Sequence, residues 1–506
     1  MPDRNVTVSP ERIAVIDIGS NSLRLVVFER LNATLLPLLN EKVMCGLGRG
    51  IARTGRLNRD GVELAYANLQ RFVALARALE VDHLMAIATA AVREASDGHQ
   101  FAAEIERQCG IPVRIVDGSE EARLSAAGVL AGIPGADGVV GDLGGGSVEL
   151  VRINGSGDGV AIGDSISLPL GPLRLTELAD NPAKLADTIE GIVDGAGLLR
   201  EVAGKTLFLV GGAWRAIARL HMEQTRYPLH IIHQYTVSRR SAEDLLEVLV
   251  PMSRRSLERI ATINRKRLEL VPLAAMILYR LLQVGAPSRI MFSAYGLREG
   301  YAYGLLQPDP TTHPLIAACM GVARAQSRGR IDGDRLEQWI APIFDTLSPE
   351  SQRLRRAACW LSDIAWSEHP DYRAEQAFTR SLRMPIGAID HRERVYIASA
   401  LHARYGGAPD DPVKAATRQL LSDDDAAEAR TLGLALRLAY TLCGGALDLL
   451  SEVELSRDSE DLVLELPTSG TLFQGEAVER RLGALGRALG LTPQMVRRRV
   501  RKPAMA

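Results

Sequence analysis

The sequence predicts an α/β fold of two related domains, followed by a mainly helical module. Residues 12–30 and 138–154 share one strand–turn–strand plan, and strand and helix patterns alternate around both copies. The stretch 315–450 has long helical periodicity and few strand signals. The expected divisions are a domain over 1–130, a second domain over 131–307, a linker over 308–314 and a helical region over 315–506.

Composition is that of an ordinary globular chain. Of the 506 residues, 46% are hydrophobic and 24% are charged. No apolar run approaches the ~20 residues that span a bilayer, and residues 1–11 contain no apolar signal-like core. The five cysteines are scattered without a CxxC pair, so we expect a cytoplasmic protein without disulfides. The net charge of −1 predicts neither a nucleic-acid nor a membrane partner.

The two hairpins are copies of one another. In each, an apolar strand ends at a turn of glycine, serine or asparagine, and a second apolar run follows. The copies superpose residue for residue, so that Asp17 corresponds to Asp142 and Ser22 to Ser147. A repeated loop of this kind predicts a repeated domain.

The segments between and after the hairpins complete the α/β pattern. The first domain is predicted to contain a helix at 61–79, a strand at 83–90 running into a helix start, a helix at 101–110, and a strand, turn and helix over 112–132. The second is predicted to contain a helix at 185–203, a strand, Gly-Gly turn and helix over 206–220, a helix at 267–285, and a strand, turn and helix over 289–306.

Three prolines within 307–314 mark the linker. Beyond the helical stretch, residues 462–467 predict one or two late strands and residues 475–490 an amphipathic helix. The chain ends in a basic segment, 496–506.

The repeated turns are candidate phosphate loops. Successive backbone N–H groups of a small-residue turn can wrap a phosphate, and serine hydroxyls add donors. A single turn of this type is more often structural. Here, however, an aspartate stands two residues before the glycine in each copy. Because buried carboxylates are costly unless paired or metal-bound, two such aspartates beside two anion loops predict a Mg²⁺–phosphate site.

At this point the chain resembles a known family. Asp-x-Gly-Ser-Asn-Ser at 17–22 and Asp-x-Gly-Gly-Gly-Ser-x-Glu at 142–149 are similar to motifs of the exopolyphosphatase/guanosine pentaphosphate phosphohydrolase family. Segments 87–96, 116–129, 211–218 and 294–300 also fit, in the same order. The resemblance implies two actin-like (ribonuclease H-like, ASKHA) domains around a cleft, and a C-terminal all-α module similar to HD-type phosphohydrolases.

The resemblance also implies roles for individual carboxylates. Glu121 corresponds to the family's proposed base for the attacking water, whereas periodicity alone favours a helix N-terminal acid that stabilises the macrodipole. Glu120 is assigned the capping role. Asp142 is the expected Mg²⁺ ligand and Glu149 its helper, since strand alternation returns Glu149 to the face of Asp142.

The candidate phosphate-binding residues lie on the turns and near the helix starts. They are Asp17, Ser20, Asn21, Ser22, Arg93, Gly144, Gly145, Gly146, Ser147, Gly211, Gly212 and Arg267. Arg24 stands where the second copy has Glu149, and is either a guanidinium for phosphate or a solvated strand residue. For Gly211 and Gly212, simple helix–strand packing is the competing interpretation.

The helical module departs from the HD pattern. Ser362 stands where the resemblance expects the histidine of the His-Asp pair, although Asp363 remains. His369 and His402 do not restore the ligand set, and serine is a poor metal ligand. We therefore expect a module without its own metal reaction, whose arginines either line an anionic channel or form a solvated surface. These are Arg353, Arg355, Arg356, Arg373, Arg383, Arg392, Arg394 and Arg404.

The functional prediction is a Mg²⁺-dependent exopolyphosphatase that releases orthophosphate from the end of linear polyphosphate. The alternative is hydrolysis of guanosine pentaphosphate to the tetraphosphate. The aromatic fraction of 5% favours polyphosphate, because a purine site needs stacking surfaces. An actin-like kinase or ATPase and a non-enzymatic anion sensor are the remaining readings. A homodimer is implied by the resemblance.

Overall fold

The computed structural model describes residues 11–31, 34–155, 161–252, 270–306, 312–329, 331–344, 348–467 and 474–498. The chain divides into two compact units, Met1–Asp309 and Pro310–Ala506. In the part of the chain that is described, no helix has both the length and the apolar character needed to cross a bilayer.

The first sheet has five strands in the order β3-β2-β1-β4-β5. The first three strands pair antiparallel, and β4 and β5 continue the sheet in parallel from β1. The strands are β1 Arg12–Ile18, β2 Leu23–Leu31, β3 Thr34–Val43, β4 His83–Ala88 and β5 Val113–Ile115. The helices are α1 Ile51–Thr54, α2 Arg59–Ala78, α3 Ala90–Glu94, α4 Gly98–Cys109 and α5 Gly118–Gly132.

The second sheet repeats this order and adds one strand. Its order is β10-β11-β9-β6-β7-β8. Taken from the other edge, β8-β7-β6-β9-β11 corresponds strand for strand to β3-β2-β1-β4-β5 of the first sheet, and β10 is the added strand. The strands are β6 Asp137–Leu143, β7 Val148–Asn154, β8 Ala161–Leu168, β9 Thr206–Gly211, β10 Tyr235–Ser238 and β11 Arg289–Phe292. The helices are α6 Pro172–Leu175, α7 Pro182–Asp194, α8 Gly212–Gln224, α9 Arg239–Leu249, α10 Val271–Gly285 and α11 Leu297–Gly304, with 3₁₀ turns at Thr176–Leu178 and Gly197–Val202. The duplicated ribonuclease H-like order confirms the predicted actin-like fold.

Helices α5 and α11 lie between the two sheets. Alternate residues of β1 face opposite sides: Ile16 packs with α2 and α4, whereas Val15 packs with α11 and with Leu124 of α5. The rest of α5 packs on the second sheet through residues such as Val129. The helices touch at backbone level, since a Cβ on Gly128 would lie 2.1 Å from the carbonyl oxygen of Gly296. This crossing holds the helix starts against both repeated hairpins.

The second unit is a helical bundle with a small sheet. Its helices are α12 Pro314–Gln326, α13 Gly333–Ile340, α14 Pro349–Trp360, α15 Arg373–Leu382, α16 His391–Arg404, α17 Pro412–Ala415, α18 Asp423–Cys443 and α19 Glu476–Leu489, with 3₁₀ turns at Ala341–Ile343, Pro370–Tyr372, Arg418–Leu420 and Leu447–Glu452. Its strands are β12 Glu454–Arg457, β13 Asp461–Pro467 and β14 Thr492–Arg498, in that order. The strand predicted at 462–467 is present. The strand at 492–498 was not predicted, because this exposed stretch shows no apolar alternation and is ordered by pairing with β13.

Several arginines considered for an anionic channel are held inside this unit instead. Arg353 pairs with Glu393, and Arg355 pairs with Glu337. Arg356 pairs with Asp334, and the guanidinium of Arg394 donates to backbone carbonyls. Burial removes both sequence-based interpretations, channel lining and solvated surface, for Arg355 and Arg394, whereas Arg353 and Arg356 form ion pairs that stay partly exposed.

Candidate active site

The two repeated turns have equivalent backbone hydrogen bonds. The N–H of Gly19 donates to the carbonyl of Ser22 at 3.1 Å, and that of Gly144 donates to the carbonyl of Ser147 at 3.0 Å. The correspondence extends to the supporting loops: Gly48 donates to the carbonyl of Ser20, as the equivalent Leu173 does to that of Gly145. The sequence repeat is therefore also a repeat of loop conformation.

These bonds leave amide groups available. The carbonyls of Ser20, Asn21, Gly145 and Gly146 each accept from a backbone N–H of the supporting loops. Among the described residues, the N–H groups of these same four positions donate no hydrogen bond. Free, clustered amides form the type of concavity that binds anions.

The two loops face each other across one cleft. A Cβ on Gly145 would lie 2.8 Å from the Cβ of Ser20, so glycine is required for this close approach. The cleft has a volume of about 190 Å³. Of the predicted site residues, its lining includes Asp17, Ser20, Asn21, Ser22, Glu121, Asp142, Gly144, Gly145, Gly211 and Gly212.

Asp142 and Glu149 are directly opposite each other on β6 and β7. Opposed residues of antiparallel strands point to the same face, as the sequence analysis expected. Glu149 is fully buried, and its Oε1 accepts from Ser167 Oγ at 2.9 Å. Its Oε2 is buried and accepts no well-formed hydrogen bond from a described residue, although the nearby Ser147 hydroxyl opposes the rise in the pKa of Glu149. Ser125, one turn after Glu121 on α5, donates its hydroxyl to Asp142.

Glu121 enters the cleft from the first turn of α5. The helix is capped by Asp117, whose carboxylate accepts from the N–H of Glu120 at 2.8 Å. Glu120 is an acid of the first helical turn, as expected, and its carboxylate pairs with Arg114, while Asp117 makes the N-cap hydrogen bond. The Oε2 of Glu121 lies 3.1 Å from the Nη1 of Arg93, so Glu121 is oriented by a guanidinium.

The three carboxyl groups form an electrostatically strained set. Burial, and then the charges of Glu149 and Asp142, raise the pKa of Glu121 well above its usual range, although Arg93 opposes this. Burial raises the pKa of Glu149 to about 7, and the Asp142 charge adds to it. Burial also raises the pKa of Asp142. A bound cation would relieve this repulsion.

The donor set fits Mg²⁺. The described residues contain no group of three or more histidine, cysteine, aspartate or glutamate ligands. Mg²⁺ usually binds through one or two carboxylates together with substrate phosphates and waters. Asp142 at the cleft and the buried Oε2 of Glu149 behind it supply carboxylates of that number and type.

We predict that Glu149→Gln stabilises the metal-free protein at alkaline pH. The pKa of Glu149 in the folded state, about 7, exceeds that of an unfolded glutamate. The folded state therefore binds the proton of Glu149 more tightly, and the stability that this proton supplies is present at low pH and is lost as pH rises through about 7. The gain in unfolding free energy should be near zero at pH 4.5 and roughly 3 kcal/mol at pH 8. Urea unfolding in the presence of a chelator, at both pH values, measures this change in unfolding free energy. Glu454→Gln, at an exposed position on β12, is the control. An equal gain at both pH values would contradict the prediction.

Three arginines, Arg24, Arg215 and Arg298, line the same cleft. Arg24 is opposite Asp17 on β2, and Arg298 places its Nη1 3.8 Å from the Oδ2 of Asp17. Arg215 donates from Nε to the carbonyl of Ser293 at 3.2 Å. Burial and mutual repulsion lower the pKa of Arg24 to about 9 and that of Arg215 to about 10. Clustered guanidiniums of this kind favour a multiply charged anion.

Sequence reasoning did not select Arg215, Arg298 or Ser125. Both arginines lie within the segments 211–218 and 294–300 that carried the resemblance, in the first turn of α8 and of α11. A basic residue in the first turn or two of a helix that follows a strand is the signal that identified Arg93, and it would have found them. Ser125 was detectable only as the residue one turn after Glu121.

The remaining predicted residues lie around the cleft or beyond the described ranges. Arg93 bonds to Glu121 and, at 2.8 Å, to the carbonyl of Val116, and does not itself line the cleft. Gly146 lines a small adjoining cavity, and Ser147 is buried at the base of its loop. Arg267 lies in the segment 253–269, which is outside the described residues.

Two facing anion loops, an oriented carboxylate and a cationic wall define a phosphate-binding enzyme of the actin-like type. Residues 26–308 match the model of the Ppx/GppA phosphatase family, and residues 315–496 match that of the exopolyphosphatase C-terminal domain. The chain belongs to the Ppx/GppA phosphatase family.

Solved structures agree with this assignment. An exopolyphosphatase from Cytophaga hutchinsonii is 26% identical, with a TM-score of 0.52, over 58% of this chain and 97% of that chain. A Ppx/GppA family member from Aquifex aeolicus is 24% identical, with a TM-score of 0.50, over 58% of this chain and 97% of that chain. The second likeness concerns the fold alone.

Proposed function

We propose that this phosphatase is a Mg²⁺-dependent exopolyphosphatase that removes terminal orthophosphate from linear polyphosphate. The observation that carries the proposal is the convergence on one cleft of two amide-presenting loops, the Glu121 and Asp142 carboxylates and the Arg24–Arg215–Arg298 guanidiniums, with Glu149 buried beside Asp142. The lining therefore carries both carboxylates and guanidiniums, as hydrolysis at the end of a phosphate chain requires.

In this proposal the terminal phosphate lies between the two turns, where the amides of Ser20, Asn21, Gly145 and Gly146 donate to its oxygens. Glu121 accepts a proton from water as the new O–P bond forms and the bond to the bridging oxygen breaks. Mg²⁺ bound at Asp142 and Glu149 would neutralise developing charge on the phosphoryl oxygens.

The arginine wall is assigned to the leaving chain. Arg24, Arg215 and Arg298 bind the next phosphates and offset the charge left on the shortened chain. Asp17 positions the guanidinium of Arg298 rather than contacting phosphate itself, because carboxylate and phosphate oxygens repel. Arg24 is held by the hydrogen bond that its Nε donates to Asn40 Oδ1 at 2.7 Å.

The lining supports polyphosphate over a guanosine substrate. Its described residues include four cationic side chains, Arg24, Lys42, Arg215 and Arg298, and no aromatic ring. A purine is commonly held by stacking, whereas a phosphate chain needs only a series of cations.

Phosphate release from long polyphosphate, guanosine pentaphosphate and ATP, measured side by side with Mg²⁺, tests the proposal. We expect the highest kcat/KM on polyphosphate and none above background on ATP. Glu121→Gln is the blank for contaminating phosphatases. A higher kcat/KM on guanosine pentaphosphate would assign the nucleotide activity instead, and preference for ATP would reject both.

A further inference from the structure

The C-terminal unit contains a second cationic cluster, centred on Asp363. This carboxylate is 3% exposed and accepts from Nε and Nη2 of Arg328 at 2.9 and 2.8 Å. The Nη2 of Arg404 lies 3.4 Å from the same Oδ1. One buried carboxylate therefore faces two guanidiniums, which leaves an excess positive charge.

Arg404 is fixed in place although its hydrogen bonding is incomplete. Its guanidinium lies 4.0 Å from the ring centroid of Tyr405 and 3.9 Å from that of Tyr440. The residue is 8% exposed, and its Nε has no hydrogen-bond partner among the described residues. A buried cationic donor of this kind is costly unless a further acceptor joins it.

Arg437 and Arg481 add two further guanidiniums, from the packed helices α18 and α19. Arg437 is one turn before Tyr440 on α18, and a Cβ on Gly406 would lie 2.3 Å from its Nη2. Burial, and then the charges of Arg481 and Arg404, lower the pKa of Arg437 to about 10. Neither Arg437 nor Arg481 has a hydrogen bond or ion pair from its side chain to another described residue.

Among the described residues of this unit, the nearby acids are already paired with other guanidiniums. Asp363 is occupied by Arg328, and Glu476 lies 3.3 Å from Arg480, a further arginine beside Arg481. Asp363 is also the remaining member of the expected His-Asp pair, beside Ser362. Its oxygens contact guanidiniums, so the local charge suits an anion rather than a metal ion.

We propose that Arg328, Arg404, Arg437 and Arg481 form a binding site for a diphosphate group, separate from the catalytic cleft. Guanidinium forks bind phosphate oxygens in pairs, and several half-buried cations need a multiply charged partner. Since Arg404 covers one face of Tyr405 and of Tyr440, the site recognises the phosphates rather than a stacked base. The diphosphate can belong to a nucleotide or to a segment of polyphosphate, because both carry the same group.

Calorimetric titration of the full chain with inorganic pyrophosphate tests this site. The Glu121→Gln background prevents turnover, and the double substitution Arg437→Gln with Arg481→Gln should weaken one class of pyrophosphate binding at least about tenfold. The exposed Arg430, on the same helix α18, provides the control Arg430→Gln, which should change nothing. Arg437→Lys, which keeps charge but loses the fork, should show an intermediate loss.

Unchanged pyrophosphate affinity in the double variant, with an unchanged circular dichroism spectrum and melting temperature, would overturn the proposal. So would an equal loss in Arg430→Gln, because it would show nonspecific attraction. Titrations with GDP and with long polyphosphate then distinguish a nucleotide from a polyphosphate segment as the carrier of the diphosphate. The ligand that the site recognises should lose more affinity in the double variant than the other. The test measures binding only, so its outcome is independent of which substrate the cleft hydrolyses.

Discussion

Glu121→Gln is expected to lower kcat by about 10²–10⁴-fold, which is the usual contribution of a general base. Glutamine keeps the shape of the side chain and can still accept a hydrogen bond from Arg93, but it cannot take a proton from water. KM should change little, because the amide loops and the arginine wall are intact. Steady-state phosphate release at saturating Mg²⁺ measures the effect.

Glu120→Gln is the matched control. It changes the neighbouring carboxylate on the same helical turn, whose partner is Arg114 rather than Arg93. We expect turnover within about twofold of the unaltered enzyme, since exposed ion pairs contribute little. If both substitutions reduced kcat equally, the loss would come from disturbance of α5, and Glu121 would not be the base.

Asp142→Asn is expected to raise the Mg²⁺ concentration for half-maximal activity at least about 100-fold, with partial recovery at excess Mg²⁺. The loss of even an outer-sphere partner of a metal site typically costs 10–100-fold, and Asp142 is the proposed cleft-facing ligand. Asparagine preserves the volume and can still accept from Ser125, but it removes the negative charge. Magnesium titration of phosphate release, at fixed polyphosphate, provides the measurement.

Asp137→Asn controls for the strand itself. Asp137 begins β6, the strand that carries Asp142, and pairs with Arg152 and Lys205 away from the cleft. Its magnesium dependence should match that of the unaltered enzyme. An unchanged titration in Asp142→Asn would remove Asp142 from the metal site, whatever the effect on kcat.

Strand register was predictable from sequence. The repeated hairpins have short turns and apolar alternation, and this combination determines which residues are opposite each other. The pairing of Asp142 with Glu149, and of Asp17 with Arg24, follows from it. The helices of the C-terminal unit were likewise predictable, because their apolar periodicity is local.

Roles that depend on distant partners were not predictable in this way. Arg298 lies close to Asp17 although the two residues stand near opposite ends of the first unit in sequence. Ser125 bonds to Asp142 because α5 is held between the two sheets. Likewise, Arg355 reads as a surface residue in sequence but forms a buried pair with Glu337. In each case the residue type alone does not indicate whether the polar group contacts solvent or a distant segment of the chain.

The sequence by itself determined the duplicated hairpins, their loop chemistry and the order of carboxylates along the chain. Only the tertiary structure decided that the two loops meet at Gly145 and Ser20, that α5 and α11 cross between the sheets, and that three arginines share one wall. The reason is physical. Turns and alternation depend on neighbouring residues, whereas a cleft depends on packing between segments more than 100 residues apart, which no local pattern records.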